Sequence, residues 1–386
     1  MALFFSPVSV SPKLHRLAVS TLFFLQGLCF SSWASRIPGI QQKMALSDAE
    51  LGVVLFAVPV GLMLSLPLSG WLVATQGSRR IALLGAIFYG ATLVSIGWAP
   101  TLPWLVGCLF LLGLAGNLMN IAVNTQAVGV EALYQRSIMA AFHGVWSLAG
   151  FAGAAVGSFM GARGFDPLAH FLLIWAIMIL VLLVCWPLTL REDRAGKADQ
   201  PIFARPDKEL LSLGLIAFCS MICEGAMFDW SGIYFKKVVL SGQHQALVGV
   251  GYTAFMSTMA GGRFVADWFA HRFGVRAVLQ ASGLLTASGL LLAVLLPALA
   301  TAVAGFLLVG FGVSSVVPLV YSAAGKASGL SPGVALAAVS TVGFLGFLIG
   351  PPLIGIVAGA FGLRVSFSVI AVMGLCIALV ASRAKV

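Results

Sequence analysis

Charge is scarce in this chain. Only 9% of its 386 residues are charged while 60% are hydrophobic, and Asp and Glu number 12 against 22 Lys and Arg. Such a composition excludes a solvated globule and reads as a membrane protein with many spans. Cysteine is limited to six (Cys29, Cys108, Cys185, Cys219, Cys223, Cys376), all inside apolar stretches and none at metal-ligand spacing. They read as small packing residues, with no metal site or disulfide framework. No phosphate loop or nucleophile–base arrangement is present, so neither an enzyme nor a bound cofactor is expected. The first apolar segment is long and lacks a small-residue cleavage site, so no removable signal peptide is expected.

What the chain does have is apolar length. At roughly 20 residues per crossing the runs give about twelve segments, from residues 17–35 to 365–381. One polar stretch interrupts them, REDRAGKADQPIFARPDKE at 191–209, and it reads as a linker. It divides the chain into halves at 1–190 and 210–386. With an even number of spans, about 15 Lys and Arg fall on the side of the termini and linker and about 6 on the other. That asymmetry places both termini and the linker in the cytoplasm. The formal charge of +10 therefore reports topology in a lipid bilayer rather than a nucleic-acid partner.

The halves repeat each other at one offset of 197 residues: GWLVATQGSRR from Gly70 lies over DWFAHRFGVRA from Asp267, and MAAFHGVWSLAGFAG from Met139 over LAAVSTVGFLGFLIG from Leu336. Two parallel repeats of six helices mark a secondary transporter with its site between the halves, near mid-membrane.

The loop stretches carry a resemblance. GWLVATQGSRR keeps Gly70, Leu72, Gly77, Arg79 and Arg80, and the second copy keeps Arg272, Gly274 and Arg276. The pattern resembles the major facilitator signature, a glycine followed by Leu-Ala-Asp-Arg, a glycine and a basic pair, although Ala74 and Thr75 stand at the Asp-Arg positions and His271 at the second Asp. SWASRIPGI, SDAELG, HGVWSLAG, EGAMFDW and GFLIGPPLIG are similar to the YbjJ-type branch of bacterial inner-membrane transporters. The resemblance implies an all-α membrane protein, with twelve transmembrane helices in two pseudo-symmetric six-helix bundles. The fifth span has Gly153, Gly157 and Gly161 but lacks the proline of the antiporter motif, which disfavours drug–proton antiport.

Polar groups that remain in hydrocarbon cost about 2.5–3.5 kcal/mol each when charged, so they face the bundle interior. Asn117, Asn120 and Asn124 share one stripe of the fourth span at i, i+3, i+7, suited to hydroxyl-rich solutes or to helix packing. His143, Trp146 and Ser147 share a face of the fifth. QGLCFSSW from Gln26 and EGAMFDW from Glu224 align with one gap, so Gln26 is expected as the neutral mate of Glu224. Glu224 is the candidate proton carrier, and Gln26, Asn117, Asn120, Asn124, His143, Trp146, Ser147 and Trp230 are the candidate substrate-binding residues. Asp229, turned about 140° from Glu224 and nearer the outer surface, is expected to meet Arg36 in an outer gate. Arg263 and Asp267, at i and i+4, are expected to form a local gating pair.

These readings converge on a monomeric secondary transporter that moves a small polar solute, possibly sugar-like, by alternating access coupled to protons. Efflux of amphipathic compounds and a non-transporting membrane sensor with the same fold are the alternatives. The charge asymmetry generates a test: a single cysteine at Ala195 of a cysteine-free variant should be reached only from the cytoplasm. Labelling by an impermeant reagent in intact cells would reverse the orientation.

Overall fold

Hydrocarbon offers a backbone no water, so apolar runs of this length must close their own hydrogen bonds as helices. The structure, a computed structural model, describes residues 11–134, 138–191, 208–241, 244–326 and 332–384, and among these there is no strand. Most of the expected linker, 192–207, lies outside the described residues. In chain order the helices are α1 (Pro12–Lys43), α2 (Asp48–Leu55), α3 (Ala57–Gln76), α4 (Ser78–Trp98), α5 (Leu102–Tyr134), α6 (Met139–Ala162), α7 (Pro167–Cys185), α8 (Lys208–Tyr234), α9 (Val250–Phe273), α10 (Val275–Leu295), α11 (Leu299–Ser314), α12 (Val316–Lys326), α13 (Pro332–Phe361) and α14 (Leu363–Arg383).

Pairs α2–α3 and α11–α12 each make one broken crossing. A proline explains each break, because Pro59 and Pro318 have no N–H to give to Leu55 and Ser314 four residues earlier, where α2 and α11 end. Eleven crossings among the described residues are long and apolar enough for a bilayer. The twelfth is α9, of 24 residues, whose apolarity is lowered by Arg263, Asp267, His271 and Arg272. Several helices outrun their apolar cores: α1 extends beyond the 17–35 run at both ends because the backbone ladder continues past the hydrocarbon.

Helices α1–α7 form one bundle and α8–α14 the other. Packing of α1 on α6, of α3 and α4 on α5, and of α4 on α7 is repeated as α8 on α13, α9 and α10 on α11, and α10 on α14. The 197-residue offset survives in atomic detail. Gly77 and Gly274 both turn the chain at φ +84°, a conformation that favours glycine. A Cβ on Gly113 would run into the carbonyl oxygen of Val58, and a Cβ on Gly310 into that of Phe255. Where Gly61 approaches the Phe110 carbonyl in one bundle, the Thr258 hydroxyl donates to the Leu307 carbonyl at 2.7 Å in the other.

The bundles meet mostly at the end away from the linker. There α2 crosses α13 with Gly52 against Gly355, and Gly232 of α8 meets Pro38 of α1. A π-helical turn, Phe235–Val239, prolongs α8. It brings Lys237 Nζ to 2.6 Å from Asp48 Oδ1 and Lys236 Nζ to 2.8 Å from Gln42 Oε1. Ser158 and Thr253 join α6 to α9 at 3.0 Å. Among the described residues, no cross-bundle hydrogen bond lies nearer the linker end than the one from Arg263 to Ser147. One turn nearer that end His143 is exposed, so the space between the bundles opens towards the linker.

The close approaches predict that Gly113→Ala and Gly310→Ala each destabilise the protein by about 1–3 kcal/mol, since backbone must move to admit the methyl group. Gly107, with nothing within 4 Å, should accept alanine without loss. Thermal unfolding of the three variants in detergent checks the contrast.

Candidate functional site

Glu224 lies sixteen residues after the first residue of α8, about 24 Å along its axis and near mid-membrane. Its side chain is only 6% exposed, and Oε2 lies 3.8 Å from the Arg263 guanidinium of α9. The same guanidinium donates to Ser147 Oγ at 2.6 Å and stands 5.7 Å from the centre of the Trp146 ring. One cation thus spans the seam between bundles, with a carboxylate on one side and a hydroxyl and an indole on the other. Glu224 Oε1 and Arg263 Nε remain without hydrogen-bond partners among the described residues.

His143 lies within the field of Arg263, and its ring packs edge-on to Phe23 at 5.2 Å. From the second bundle, Tyr321 of α12 lies within the field of Glu224, and its hydroxyl accepts from Ser340 of α13 at 2.9 Å. Pseudo-symmetry pairs these walls: 197 residues separate Asn124 from Tyr321 and His143 from Ser340.

The amide stripe divides into two roles. Asn117 is buried and donates to Ser65 at 2.9 Å and Ser69 at 3.2 Å, so it ties α5 to α3 rather than facing a solute. Asn120 and Asn124 are half-buried; Asn124 Nδ2 donates to Asn120 Oδ1 at 3.0 Å, and Gln26 Nε2 donates to the same oxygen at 3.4 Å. Gln26 Oε1 is buried without a partner. Ser147 is fully buried and serves Arg263, and Trp230 is buried with its indole N–H unpaired, so neither lines an open surface in this state.

Beyond the polar groups lies an aromatic layer. Phe30 and Phe228 meet edge to face at 5.2 Å across the seam, with Trp146 at 6.0 Å from Phe30, and with Phe255 at 5.6 Å and Phe347 at 6.5 Å from Phe228. Phe30 and Phe228 sit four residues after Gln26 and Glu224, so the aligned stretches place them as mates at the pseudo-twofold axis. The phenylalanine at the same step of both stretches is the sequence signal of that pairing.

Two expected pairings change. Arg36 does not meet Asp229; its guanidinium turns back within its own bundle to the Phe165 carbonyl in the α6–α7 turn. The donor geometry of a nearby carbonyl wins over a carboxylate on another helix. Ion pairs among the described residues are Lys237–Asp48 and Arg263–Glu224, so the far end is joined by Lys237 and Asp48 instead. Asp48 is placed by the Ser47–Glu50 capping box at the start of α2 and by a 2.8 Å bond from Gln41. As for Arg263, it pairs with Glu224 of the neighbouring helix α8 in its own bundle; the side chain of its expected partner Asp267 lies outside the described residues.

The Major Facilitator Superfamily profile matches residues 19–251 and 226–385. An uncharacterised MFS-type transporter of Yersinia pestis is 32% identical over 379 residues, covering 96% of this chain and 98% of that protein. The nucleoside transporter NupG superposes with a TM-score of 0.76 at 13% identity, over 95% of this chain and 99% of that one. A bacterial homolog of the human lysosomal transporter Spinster, in an inward-facing and occupied conformation, superposes at 0.73 with 18% identity, over 95% and 96%. At such low identity the solved structures bear on fold alone. With its two six-helix bundles and a profile match along nearly its whole length, the chain belongs to the Major Facilitator Superfamily.

Proposed function

We propose that this transporter moves a small, hydroxyl-rich polar solute by alternating access, coupled to protons through Glu224. The observation that carries the reading is the buried Glu224–Arg263 pair at the seam, in a region where both bundles contribute neutral hydrogen-bonding groups. Gln26, Asn120, Asn124, Tyr321 and Ser340 offer amide and hydroxyl contacts from both bundles, and His143 and Trp146 add rings against which a sugar face can stack. We place the chain in the YbjJ-type branch, in a bacterial inner membrane with both termini cytoplasmic. Residues 1–190 and 210–386 then rock about the 191–209 linker. In that orientation the cavity opens inward, as in the Spinster homolog.

The proton role follows from electrostatics. An ionised Glu224 is held by Arg263; a proton on Glu224 removes that attraction and frees the guanidinium, which loosens the Arg263–Ser147 tie between bundles. Glu224→Gln keeps the shape of the protonated acid but cannot regain charge. With a solute found by thermal-shift screening of nucleosides and monosaccharides, the Gln variant should lose accumulation driven by an acid exterior by about tenfold or more, equivalent to about 1.4 kcal/mol. Counterflow exchange at equal concentrations should persist. Undiminished concentrative uptake would sink the carrier role.

The far-end seam gives a second expectation. Lys237 and Asp48 are partly exposed, so their pair contributes only about 0.2–1 kcal/mol. Asp48→Asn or Lys237→Gln should open that end modestly, and the double charge swap should restore part of the closure. Gly355→Leu, which drives a side chain into Gly52, should open it far more. Thiol labelling of a single cysteine near the α2–α13 crossing ranks these variants, and equal labelling in all of them would remove the seam assignment.

A further inference from the structure

Asp229 is unused by the reading so far. It follows Phe228 on α8, so it stands on the far side of the aromatic layer from Glu224, about 7.5 Å further along the helix. It is half-buried where the bundles are shut, and no hydrogen bond or ion pair reaches it among the described residues. Its neighbour across α9 is Tyr252, which interacts with it electrostatically. The Tyr252 hydroxyl is engaged with Ser31 of α1 at 2.9 Å, and Ser31 also donates to the Gly150 carbonyl at 2.5 Å. The Ser31–Tyr252 contact ties the two bundles together beside the carboxyl group, and the Ser31–Gly150 bond anchors it to α6 within the first bundle.

The charged groups that could neutralise Asp229 are committed elsewhere. Arg36 of α1 donates to Phe165, Lys236 and Lys237 serve Gln42 and Asp48, and Arg364 of α14 donates to the Val294 carbonyl at 3.0 Å. Neither α11 nor α13 brings a charged side chain among the described residues. A bare carboxylate left half-buried in such a seam costs several kcal/mol, whereas a neutral carboxylic acid costs far less.

We infer that Asp229 is a second proton-binding carboxyl group, charged when the far end is open and protonated when it is shut, in the opposite phase to Glu224. With the far end open, the carboxylate is hydrated; it takes a proton from hydronium, leaving water, and closure then buries a neutral acid. On reopening, the acid returns its proton to water. The two carboxyl groups, separated by the Phe30–Phe228 contact, thus face opposite solutions in alternate states. This inference rests on the proton-coupled reading of the transporter.

The test uses protons as the only ligand. Infrared difference spectra of the full chain in liposomes, recorded in ordinary and heavy water across mildly acid to mildly alkaline pH, report the C=O stretch of protonated carboxyl groups. The Glu224→Gln protein should retain such a band at neutral pH. Adding Asp229→Asn should abolish it, while Asp229→Glu in its place should shift it. In the Gly355→Leu background, whose far end is held apart, the band should weaken; Gly52→Leu serves if that variant does not fold. A band that survives Asp229→Asn, that is absent from the Glu224→Gln protein, or that ignores the far-end variants overturns the assignment. Failure of the Glu224 reading appears separately, as intact concentrative uptake in Glu224→Gln. A merely structural role for Asp229 would move the melting temperature and leave no pH-dependent band to remove.

Discussion

Arg263 reaches from α9 to Glu224 on α8 and also donates to Ser147 on α6, so one guanidinium holds the acid of one bundle against the wall of the other. Neither charge would be stable alone at this depth, since removing one partner of a buried pair strands the other at a cost of about 3–5 kcal/mol. The pair therefore constrains everything near it. Small residues let α6 approach closely: the Phe264 ring rests where a Gly144 side chain would stand, and the Met256 methyl where one on Gly150 would. The indole of Trp146 supplies a face to the same cation. In the proposed mechanism, a change in the charge of Glu224 alters the strength of the seam and so links a proton to a conformational change.

The aromatic layer gives the link a direction. Phe30, Trp146, Phe228 and Phe347 stand between the exposed His143 and the closely packed far end. Ring contacts of this kind contribute about 0.5–1.5 kcal/mol each beyond their area, enough to shut a path yet weak enough to part. The tighter far-end packing lies at Gly52–Gly355, where backbone meets backbone. Closure at that end is a matter of shape more than of charge.

Architecture was legible in the sequence because it is repeated. Segment length followed from bilayer thickness, and one offset of 197 residues named the equivalent helices, down to the paired turns at Gly77 and Gly274. The match of Gln26 with Glu224 rests on a separate alignment of the first and seventh spans that needs one gap. Pairing across the seam was not legible, because it depends on which way long side chains turn. An i, i+4 spacing made Asp267 the natural partner of Arg263, but a local helix pair competes with any group brought in by tertiary packing, and Glu224 is such a group. Arg36 failed in the same manner: similar depth on opposite bundles suggested Asp229, while a carbonyl in the adjacent turn was nearer. Asn117 shared a stripe with Asn120 and Asn124, yet only the structure separates the amide that packs from the amides that face space.

Repetition also exposes what is not repeated. The residue 197 positions before Arg263 is Leu66, the mate of Glu224 is the neutral Gln26, and Asn124 answers to Tyr321. Around Glu224 the charged groups thus come from the second bundle, while the first presents amides and an imidazole. A symmetric pair of acids would repel across the axis and require two compensating cations in hydrocarbon; a single acid with one arginine needs none. The neutral wall can then bind a solute by hydrogen bonds whose strength does not change with the protonation of Glu224. In the proposed mechanism, coupling therefore passes through the contact between Arg263 and Ser147 rather than through direct contact between proton and solute.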